Sequence, residues 1–365
     1  MNGFATEAGT NRYRRRLGKR ADKAHFKSWK GLRLSSIGIG TYLGADDEAT
    51  DRAYEAAVRR ALELGLNVID TAVNYRHQRS ERSVGAALRA MVAAGSLTRD
   101  EVVVATKGGF IPFDGGVPAN PSAYYTETYI RPGVLTPADV VGGCHCITPR
   151  YLADQLARSR ANLGVETIDI YYLHNPEMQL DAVDRSTFMA RMRAAFEFLE
   201  SAVADGHIRW YGTATWEGYR RPAGARDYLP LPDLVELARE VAGARHHFGV
   251  IQLPYSLGMT QALAQANQPI GPTQVSVLQA AEHLGLYVMA SASILQGKLA
   301  RDLPPALRQV LDGLSTDAQR ALQFVRSTPG VGTALCGMTR LAHVEENAAL
   351  VGLPPAPVEK LFTRA

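Results

Sequence analysis

Eight short apolar runs recur along the chain, and each is followed by a segment with apolar residues at helical spacing. Continuous runs rich in β-branched residues are typical of buried parallel strands, because both faces of such strands are covered. The predicted strands are residues 36–41, 67–70, 102–106, 168–173, 208–213, 250–253, 287–290 and 333–336.

Helices are predicted between these strands. The periodic stretches are residues 49–64, 80–94, 149–164, 184–204, 232–241, 273–284, 316–327 and 343–350. Gly65 and Gly95 end the first two, and Thr148 followed by Pro149 is a typical start for the third. Eight strand–helix units predict a (β/α)8 barrel of the TIM type rather than an open doubly wound sheet. The glycine-rich phosphate fingerprint of the open sheet is missing, because no predicted helix begins directly after residues 38–44.

Three connections are longer than is usual between barrel strands and helices: residues 108–147, 217–231 and 256–272. All three leave strand C-termini, the end at which barrels of this kind form active sites. The first connection is rich in aromatic residues: Phe110, Phe113, Tyr124, Tyr125 and Tyr129. These rings could line a pocket above the barrel or pack the loop against itself, and the sequence leaves both alternatives open.

The bulk composition is that of an ordinary globular protein, with 365 residues of which 46% are hydrophobic and 21% charged. No apolar stretch approaches the ~20 residues that a membrane span needs. The arginines at positions 14–16 are not followed by the apolar stretch of a secretory signal. Three cysteines, two of them nearly adjacent, cannot form a disulfide framework for a chain of this length. We therefore expect a cytoplasmic protein.

Positive charge is concentrated near the N-terminus. Nine lysines or arginines and one acid lie between Arg12 and Lys30, so this segment carries +8 while the whole chain carries +4. We predict a basic N-terminal extension over residues 1–30 and a barrel domain over residues 31–365.

The extension has two interpretations. It could contact nucleic acid, an acidic partner or a phosphorylated ligand. It could instead be a solvated segment that packs along the barrel through Tyr13, Leu17, Phe26 and Trp29. We favour the second interpretation, because charge blocks are often solvated faces, and nucleic acid is therefore an unlikely partner.

Three of the predicted strands end in residues that can move a proton. The segments NVIDTAVNY, VVVATKGGF and IDIYYLHNP carry Asp70 with Tyr75, Lys107, and His174. Because parallel barrel strands end on one face, we expect these four side chains to meet. A lysine buried at a strand end must pair with an acid or lose its charge, and Asp70 on the preceding strand is the expected partner. We predict that the paired Lys107 lowers the pKa of Tyr75 and so makes it a better proton donor.

Each of the four residues also has an ordinary structural interpretation. Asp70 could begin a turn, and Tyr75 could pack within a loop. Lys107 could lie at the surface, and His174 could bond the backbone. The case for a site depends on all four standing at matching strand ends, because single motif matches are often accidental.

Together these motifs resemble those of the aldo-keto reductase family. The matching segments are GIGT at 38–41, NVIDTAVNY, Ser80-Glu81 with Gly85, ATKGG, RSRANLGVETIDIYYLHNP, residues 206–215, IQLPYSL, residues 291–299 and VEENAAL. They run from about Gly31 to Gly352 and agree in order, spacing and residue type. The GTATW segment at 212–216 is closer to the bacterial branch with potassium-channel β-subunit-like members than to mammalian aldose reductases.

The resemblance implies an NAD(P)H-dependent oxidoreductase that interconverts a carbonyl compound and an alcohol. Hydride would pass between the nicotinamide and the small-molecule substrate. Tyr75 would be the general acid, Lys107 and Asp70 would tune it, and His174 would orient the carbonyl.

The resemblance also implies a set of cofactor-binding residues. Gln252 would hold the nicotinamide carboxamide, and Tyr255 would stack on the nicotinamide ring. The others are Gly40, Thr41, Tyr42, Thr215, Ser256, Leu257, Gly297, Leu299, Arg340, His343, Glu346 and Asn347.

Two departures from the family pattern bear on the cofactor. Ala214-Thr215 stands where Ser-Asn is frequent, which weakens the nicotinamide clamp. Gly337 and Met338 stand where Lys-Ser is common, so only Arg340 and His343 remain to bind a 2′-phosphate. NADPH is therefore favoured only modestly over NADH.

Cys144-His145-Cys146 invites a metal interpretation, but zinc sites space their cysteines by two to four residues and need a second cluster. No metal site is predicted. A reactive thiol at a pocket rim is one alternative, and packing within the loop is the favoured one.

Two other functions remain open. The first is a Schiff-base lyase or aldolase on the same fold, with Lys107 as the nucleophile. The second is a nucleotide-binding regulatory subunit without turnover, for which the basic extension would supply a contact.

Overall fold

The computed structural model describes residues 1–362, and its centre is a closed barrel of eight parallel strands. The predicted fold class is therefore confirmed. The barrel strands, in order, are Ile37–Gly40, Val68–Asp70, Val103–Gly108, Ile168–His174, Ile208–Ala214, Phe248–Pro254, Tyr287–Ser291 and Thr333–Gly337. Spatial order follows chain order, and the eighth strand closes on the first through the pair Ala334 and Ile37. The last three residues of the predicted barrel domain lie outside the described residues.

One helix follows each barrel strand. These helices are Glu48–Leu64, Arg79–Ala93, Pro149–Leu163, Arg185–Ala204, Leu231–Ala242, Val277–His283, Asp317–Ser327 and Leu341–Ala348. Several begin at a side chain that accepts a hydrogen bond from an otherwise free backbone N–H, as Asp47 does from Thr50 and Asp184 does from Thr187. The predicted helices agree with these ends to within about two residues, apart from the sixth.

The sixth helix begins later than the pattern predicts. Residues 273–284 were expected to be helical, but Thr273–Val275 is a strand that pairs with Gln268–Ile270. Ser276 then starts the helix through a capping box. The Ser276 hydroxyl accepts from the Gln279 backbone N–H, and the Gln279 side-chain oxygen accepts from the Ser276 backbone N–H. Helical spacing alone does not reveal this capping box.

The N-terminal segment closes the end of the barrel away from the strand C-termini. A helix over Glu7–Leu17 is followed by a hairpin of Phe26–Trp29 and Leu32–Ser35. Tyr13, Leu17, Phe26 and Trp29 are all buried, which confirms the predicted packing through these residues. Trp29 lies against Tyr287 at the start of the seventh strand. The predicted boundary after residue 30 falls in the turn of this hairpin.

The long connection after the third strand folds mostly onto itself. It holds short helical turns at Pro121–Tyr125, Thr126–Ile130 and Pro137–Asp139. Its aromatic residues form a separate apolar cluster around Tyr129 and Tyr151, in which Tyr124 and Tyr125 take part. Phe110 differs, because it reaches the cavity described below. The packing alternative therefore holds for most of this connection.

The remaining elements are short. They are the helices Gln261–Ala264, Pro305–Val310 and Val358–Phe362, and the 3-10 turns Gly18–Arg20, Arg99–Glu101, Pro176–Asp181, Gly243–Arg245, Leu295–Gly297 and Ala349–Gly352. The main apolar core lies between the barrel and its ring of helices. A second core fills the barrel interior and is capped by Trp29, Leu32 and Leu34 from the hairpin. The interior is thus packed, and any site must lie at the open end.

Candidate active site

A cavity of about 810 Å³ opens at the C-terminal end of the barrel. Its volume lies within the usual range for small-molecule and cofactor sites. Twelve of the predicted site residues line it: Gly40, Thr41, Tyr42, Asp70, Tyr75, His174, Thr215, Gln252, Gly297, His343, Glu346 and Asn347. The prediction that strand ends converge on one site therefore agrees with the geometry.

Lys107 lies beneath this cavity and is fully buried. Its Nζ donates to Asp70 Oδ2 at 2.7 Å and to the Thr71 carbonyl at 2.8 Å. The other oxygen of Asp70 accepts from Gln252 Nε2, also at 2.7 Å. Both oxygens of the carboxylate are thus engaged, as a buried charge requires.

Strand register explains this pairing. Asp70 lies opposite Ala105 on the adjacent strand, and Lys107 stands two residues beyond Ala105. Because side chains alternate along a strand, residues 105 and 107 point to the same face. The lysine is therefore brought beside Asp70 at the inner floor of the site.

Tyr75 lies above the ion pair, with its ring centroid 4.8 Å from Lys107 Nζ. Burial raises the pKa of Tyr75 well above its ordinary value, and the charges of Asp70 and Tyr42 raise it further. The net direction is therefore the opposite of the prediction that Lys107 lowers this pKa. Burial has the largest effect, and the Asp70 carboxylate beside Lys107 adds to it. The phenol is consequently protonated at neutral pH.

The turn after Tyr75 is strained and firmly anchored. Arg76, His77 and Gln78 all have positive φ, which is uncommon for residues other than glycine. Arg76 is buried and donates to the Ala45 carbonyl at 2.8 Å and to Asp51 at 2.7 Å. Such strain persists only where surrounding contacts enforce it, and it is concentrated at functional sites.

His174 faces the same space from the fourth strand. Its ring lies 5.9 Å from that of Tyr75 and 4.9 Å from that of Phe110, measured between centroids. Burial lowers the pKa of His174 well below its ordinary value, and the charge of Lys107 lowers it further. The imidazole is therefore neutral at physiological pH. Its buried Nδ1 has no hydrogen-bond partner among the described residues.

The lining of the cavity also carries unsatisfied polar atoms. Thr215 Oγ1 and Asn347 Oδ1 are buried and have no partner within residues 1–362. The adjoining loop after the seventh strand contains four non-glycine residues with positive φ: Ala292, Leu295, Gln296 and Asp302. Buried polar groups are normally paired, so these atoms point to a polar ligand.

Six predicted site residues lie outside the cavity lining. Lys107 is the floor residue described above. Tyr255 is buried elsewhere, with its ring stacked on Phe324 and its hydroxyl 3.1 Å from Thr328 Oγ1, so its position does not fit the stacking role assigned to it. The remaining four are Ser256, Leu257, Leu299 and Arg340.

The polypeptide path explains the misplaced residues. The chain turns back after the sixth strand, where Ser256 and Met259 form an antiparallel bridge. The end of the seventh strand and the residues after it, from Ser291 to Ile294, line the cavity instead. Residues 291–299 belong to the segments that resemble the family, but only Gly297 and Leu299 of this segment are among the predicted cofactor-binding residues.

Sequence reasoning also missed Asn175 and Trp216, which line the cavity, and it left open whether Phe110 does so. Each stands within two residues of the end of a barrel strand. Trp216 is 44% exposed, which is unusual for a large apolar side chain and marks the cavity rim. Glu177 fixes the Trp216 loop, because its Oε1 accepts from the backbone N–H groups of Trp216, Glu217 and Gly218.

The Cys144-His145-Cys146 motif lies behind the cavity rather than on its rim. Both ring nitrogens of His145 are hydrogen-bonded, to Gln179 and to the His174 carbonyl. Within the described part of the chain, no three histidine, cysteine or acidic residues are placed to hold a metal ion.

The fold and this cluster define an α/β-barrel protein with a titratable site at the strand C-termini. A model of the aldo/keto reductase family matches residues 36–225, just over half of the chain. The chain therefore belongs to the aldo/keto reductase family, and it is an oxidoreductase of that type.

Its curated relatives are distant but align over most of the chain. A probable voltage-gated potassium channel subunit beta from Arabidopsis thaliana is 22% identical over 340 residues, covering 89% of this chain and 90% of that protein. A 6-dehydroglucose reductase from Novosphingobium aromaticivorans is 23% identical over 333 residues, covering 87% and 86%. The predicted likeness to channel β-subunits is confirmed.

Solved structures share the fold. An aldo/keto reductase from Klebsiella pneumoniae in complex with NADP and acetate has a TM-score of 0.60, 22% identity and 93% coverage of both chains. A glycerol dehydrogenase from Gluconobacter oxydans has a TM-score of 0.63, 18% identity and the same coverage. Among residues 1–362, no helix has the length and apolar character to cross a membrane.

Proposed function

We propose that the protein interconverts a carbonyl compound and an alcohol with NADP(H) or NAD(H), and that Tyr75 transfers the proton. One observation supports this most directly. A protonated phenol faces a cavity directly above a buried ion pair of Lys107 and Asp70. This arrangement keeps the proton on Tyr75 until a substrate oxygen can accept it.

The cavity residues fit a nicotinamide dinucleotide. Gln252 uses its amide nitrogen on Asp70, which leaves its amide oxygen to accept from a carboxamide. The unpartnered Thr215 Oγ1 can bond the same group, and the unpartnered Asn347 Oδ1 can accept from an adenine amino group. When bound, the reduced nicotinamide supplies hydride to the carbonyl carbon. The Klebsiella pneumoniae structure holds NADP on the same fold.

The protein's own groups complete the reaction. Tyr75 donates its hydroxyl proton to the oxygen of the reduced carbonyl. The negative charge left on Tyr75 forms close to the Lys107 ammonium, which stabilises it in a site of low dielectric constant. The neutral His174 ring can donate one N–H to the substrate oxygen and so orient it. Oxidation of an alcohol uses the same groups in reverse.

NADPH is the favoured cofactor, though only modestly. Arg340 and His343 are the side chains proposed to meet a 2′-phosphate, but Arg340 is exposed and only His343 lines the cavity. We place the protein in the cytoplasm, because Cys144, Cys146 and Cys336 are all free thiols.

A turnover screen tests the proposal. The purified protein is analysed for bound nucleotide and then assayed with aldehydes, ketones and alcohols, using both nicotinamides in both redox states. We expect bound nicotinamide dinucleotide and a change in nicotinamide absorbance with at least one substrate class. Absence of both nucleotide binding and turnover across the panel would contradict the proposal.

The Schiff-base alternative is disfavoured by geometry. Lys107 has no exposed surface, and Asp70 and Thr71 occupy two of its three donor positions. A lysine nucleophile must be free and uncharged to attack a carbonyl. Borohydride trapping of an adduct on Lys107, without any nicotinamide signal, would reverse this judgement.

A binding subunit without turnover is favoured only by the relatives named as channel subunits. Charge reversal of the exposed Arg15, Lys19 and Arg20 would separate this function from catalysis without removing the buried residues of the segment. Loss of a partner with full carbonyl turnover would assign the N-terminal segment to binding and leave the barrel as an enzyme.

A further inference from the structure

A buried histidine outside the cavity connects the Cys144–Cys146 motif to the proposed site. His145 has no exposed surface, and its ring packs edge-on against Phe110 at 5.2 Å between centroids. Its Nε2 lies 2.7 Å from the backbone carbonyl oxygen of His174. Its Nδ1 lies 2.8 Å from Nε2 of Gln179.

The chemistry of the partners assigns a direction to each bond. Arg191 can only donate, so the Gln179 oxygen beside it accepts. The Gln179 amide nitrogen therefore faces His145 and donates to Nδ1. A carbonyl can only accept, so the hydrogen of His145 is on Nε2 and is donated to His174. The imidazole is thus neutral and held in one tautomer, consistent with burial lowering the pKa of His145 to about 4.

This chain of bonds ends on the peptide that joins two cavity residues. The carbonyl of that peptide belongs to His174 and accepts from His145. Its N–H belongs to Asn175 and donates to the Ala214 carbonyl at 2.6 Å. Asn175 has a φ of 47°, a left-handed conformation that costs energy in a residue with a side chain. Both faces of a strained peptide are therefore fixed by hydrogen bonds.

The contact leaves no space for another side chain. Gly109 has a φ of 144°, and a Cβ at this position would lie 2.9 Å from both His145 Nε2 and the His174 oxygen. Glycine is required here so that the two groups can meet. The ring of Phe110, the next residue, touches both imidazoles.

We propose that His145 is a positioning residue, which uses Gln179 and Arg191 to fix the His174–Asn175 peptide and thereby the direction of the His174 ring. This inference rests on the proposed function, in which His174 orients the substrate oxygen. It also assigns a role to the Cys144-His145-Cys146 motif, for which a metal site was considered from the sequence.

Three variants test the proposal on the full-length protein. His145→Phe removes both hydrogen bonds while keeping a ring of similar size. His145→Gln keeps one donor and one acceptor and can restore the connection. Gln179→Met removes the support of His145 without touching the His174 carbonyl. Cys144→Ser, in the same loop, is the matched control.

We expect His145→Phe to lower kcat by roughly tenfold to a hundredfold, because small misplacements of a reacting group are costly. NADPH affinity should stay within about twofold, because the hydrogen bonds and ring contact of His145 are with His174, Gln179 and Phe110, none of which is proposed to bind the cofactor. His145→Gln should recover most of kcat. The kcat of Gln179→Met should lie between those of His145→Phe and the parent, and Cys144→Ser should match the parent. A crystal structure of His145→Phe should show the His174 ring rotated.

The outcomes separate this proposal from the one it rests on. If the parent itself has no turnover with any carbonyl, the proposed function fails, and the His174 ring direction in the crystal structure alone decides the role of His145. If kcat, NADPH affinity and thermal stability all fall together and His145→Gln restores none of them, His145 has only a structural role. An unchanged His174 ring in His145→Phe would equally overturn the proposal.

Discussion

The two ends of the cavity hold their polar groups in different ways. At the catalytic end, Asp70, Lys107 and Gln252 satisfy one another through bonds of 2.7 Å, and all three are buried. At the far end, Asn347 Oδ1 is buried without a partner among the described residues, and His343 is exposed. The network around the ion pair is complete in itself, whereas the far end is arranged for a group that would supply the missing bonds.

This difference has a physical consequence. A pre-formed network places Tyr75 and His174 without rearrangement, and such preorganisation is the main source of electrostatic stabilisation in enzymes. Open polar atoms instead contribute binding energy only when a ligand arrives. Substitutions at the catalytic end should therefore act on turnover, and substitutions at the far end should act on cofactor affinity.

The largest effect is expected for Tyr75→Phe. This change removes the hydroxyl proton but keeps the ring and its packing against Tyr42 at 5.0 Å. We expect kcat to fall at least about a hundredfold, the usual range for loss of a general acid. NADPH affinity, measured by fluorescence titration, should be nearly unchanged.

Tyr124→Phe is the matched control, because Tyr124 packs in the loop cluster against Phe113 and lies outside the cavity lining. It should retain parental activity. Equal turnover in Tyr75→Phe and the parent would show that Tyr75 is not the proton donor. It would also contradict the proposed difference between the two ends of the cavity.

Lys107→Met should disturb both activity and folding. It leaves the buried Asp70 carboxylate without its cation, and breaking such a pair typically costs about 3–5 kcal/mol of unfolding free energy. Asp70→Asn combined with Lys107→Met removes both charges, so the double variant should be the more stable of the two. Denaturant unfolding measures the order, and a double variant less stable than Lys107→Met would contradict a paired network.

The pH dependence of turnover sharpens the same comparison. The pKa of Tyr75 is raised, so the phenol stays protonated up to and beyond its ordinary value of about 10. The pKa of His174 is lowered, so its ring stays neutral down to and below about 6.5. The rate of carbonyl reduction at saturating cofactor should therefore be flat between these values.

Alcohol oxidation should behave differently across that window. It needs deprotonated Tyr75 as a base, so its rate should rise steadily with pH. Thermal unfolding at each pH serves as the control for stability. A reduction rate that already falls between pH 7 and 9 would show that the pKa of Tyr75 is not raised.

The barrel was predictable from sequence because its signals are local and repeated. Each strand is a continuous apolar run, and each following helix has its own period and cap. The exception, residues 273–275, depends on pairing with Gln268–Ile270, a contact that helical spacing does not report. The buried residues of the N-terminal segment were predicted from the sequence, but the hairpin that contains two of them was not.

The catalytic end was also predictable, since Asp70, Lys107 and His174 stand on the strands themselves and register decides their position. The far end was predictable only in part, because the helix Leu341–Ala348 carries His343 and Asn347 whereas loops carry the rest. Tyr255 follows a strand as Ala292 does, but only the loop path decides that the first turns away and the second lines the cavity. The direction of the Tyr75 pKa shift was not predicted for a related reason. Burial of the phenol raises this pKa, and burial depends on the whole folded chain rather than on neighbouring residues in the sequence.

Cofactor choice should show the smallest effects. Among residues 1–362, those that line the cavity include no lysine or arginine, so the side chains proposed to meet a 2′-phosphate are the imidazole of His343 and the exposed Arg340. An exposed ion contact contributes up to about 1 kcal/mol, so Arg340→Ala should weaken NADPH about fivefold and leave NADH unchanged. Calorimetric titration of both cofactors measures this, with the exposed Arg301→Ala as control. If NADPH binds the parent a thousandfold better than NADH, the far end contains a phosphate site that this geometry does not explain, and the contrast between the two ends is wrong.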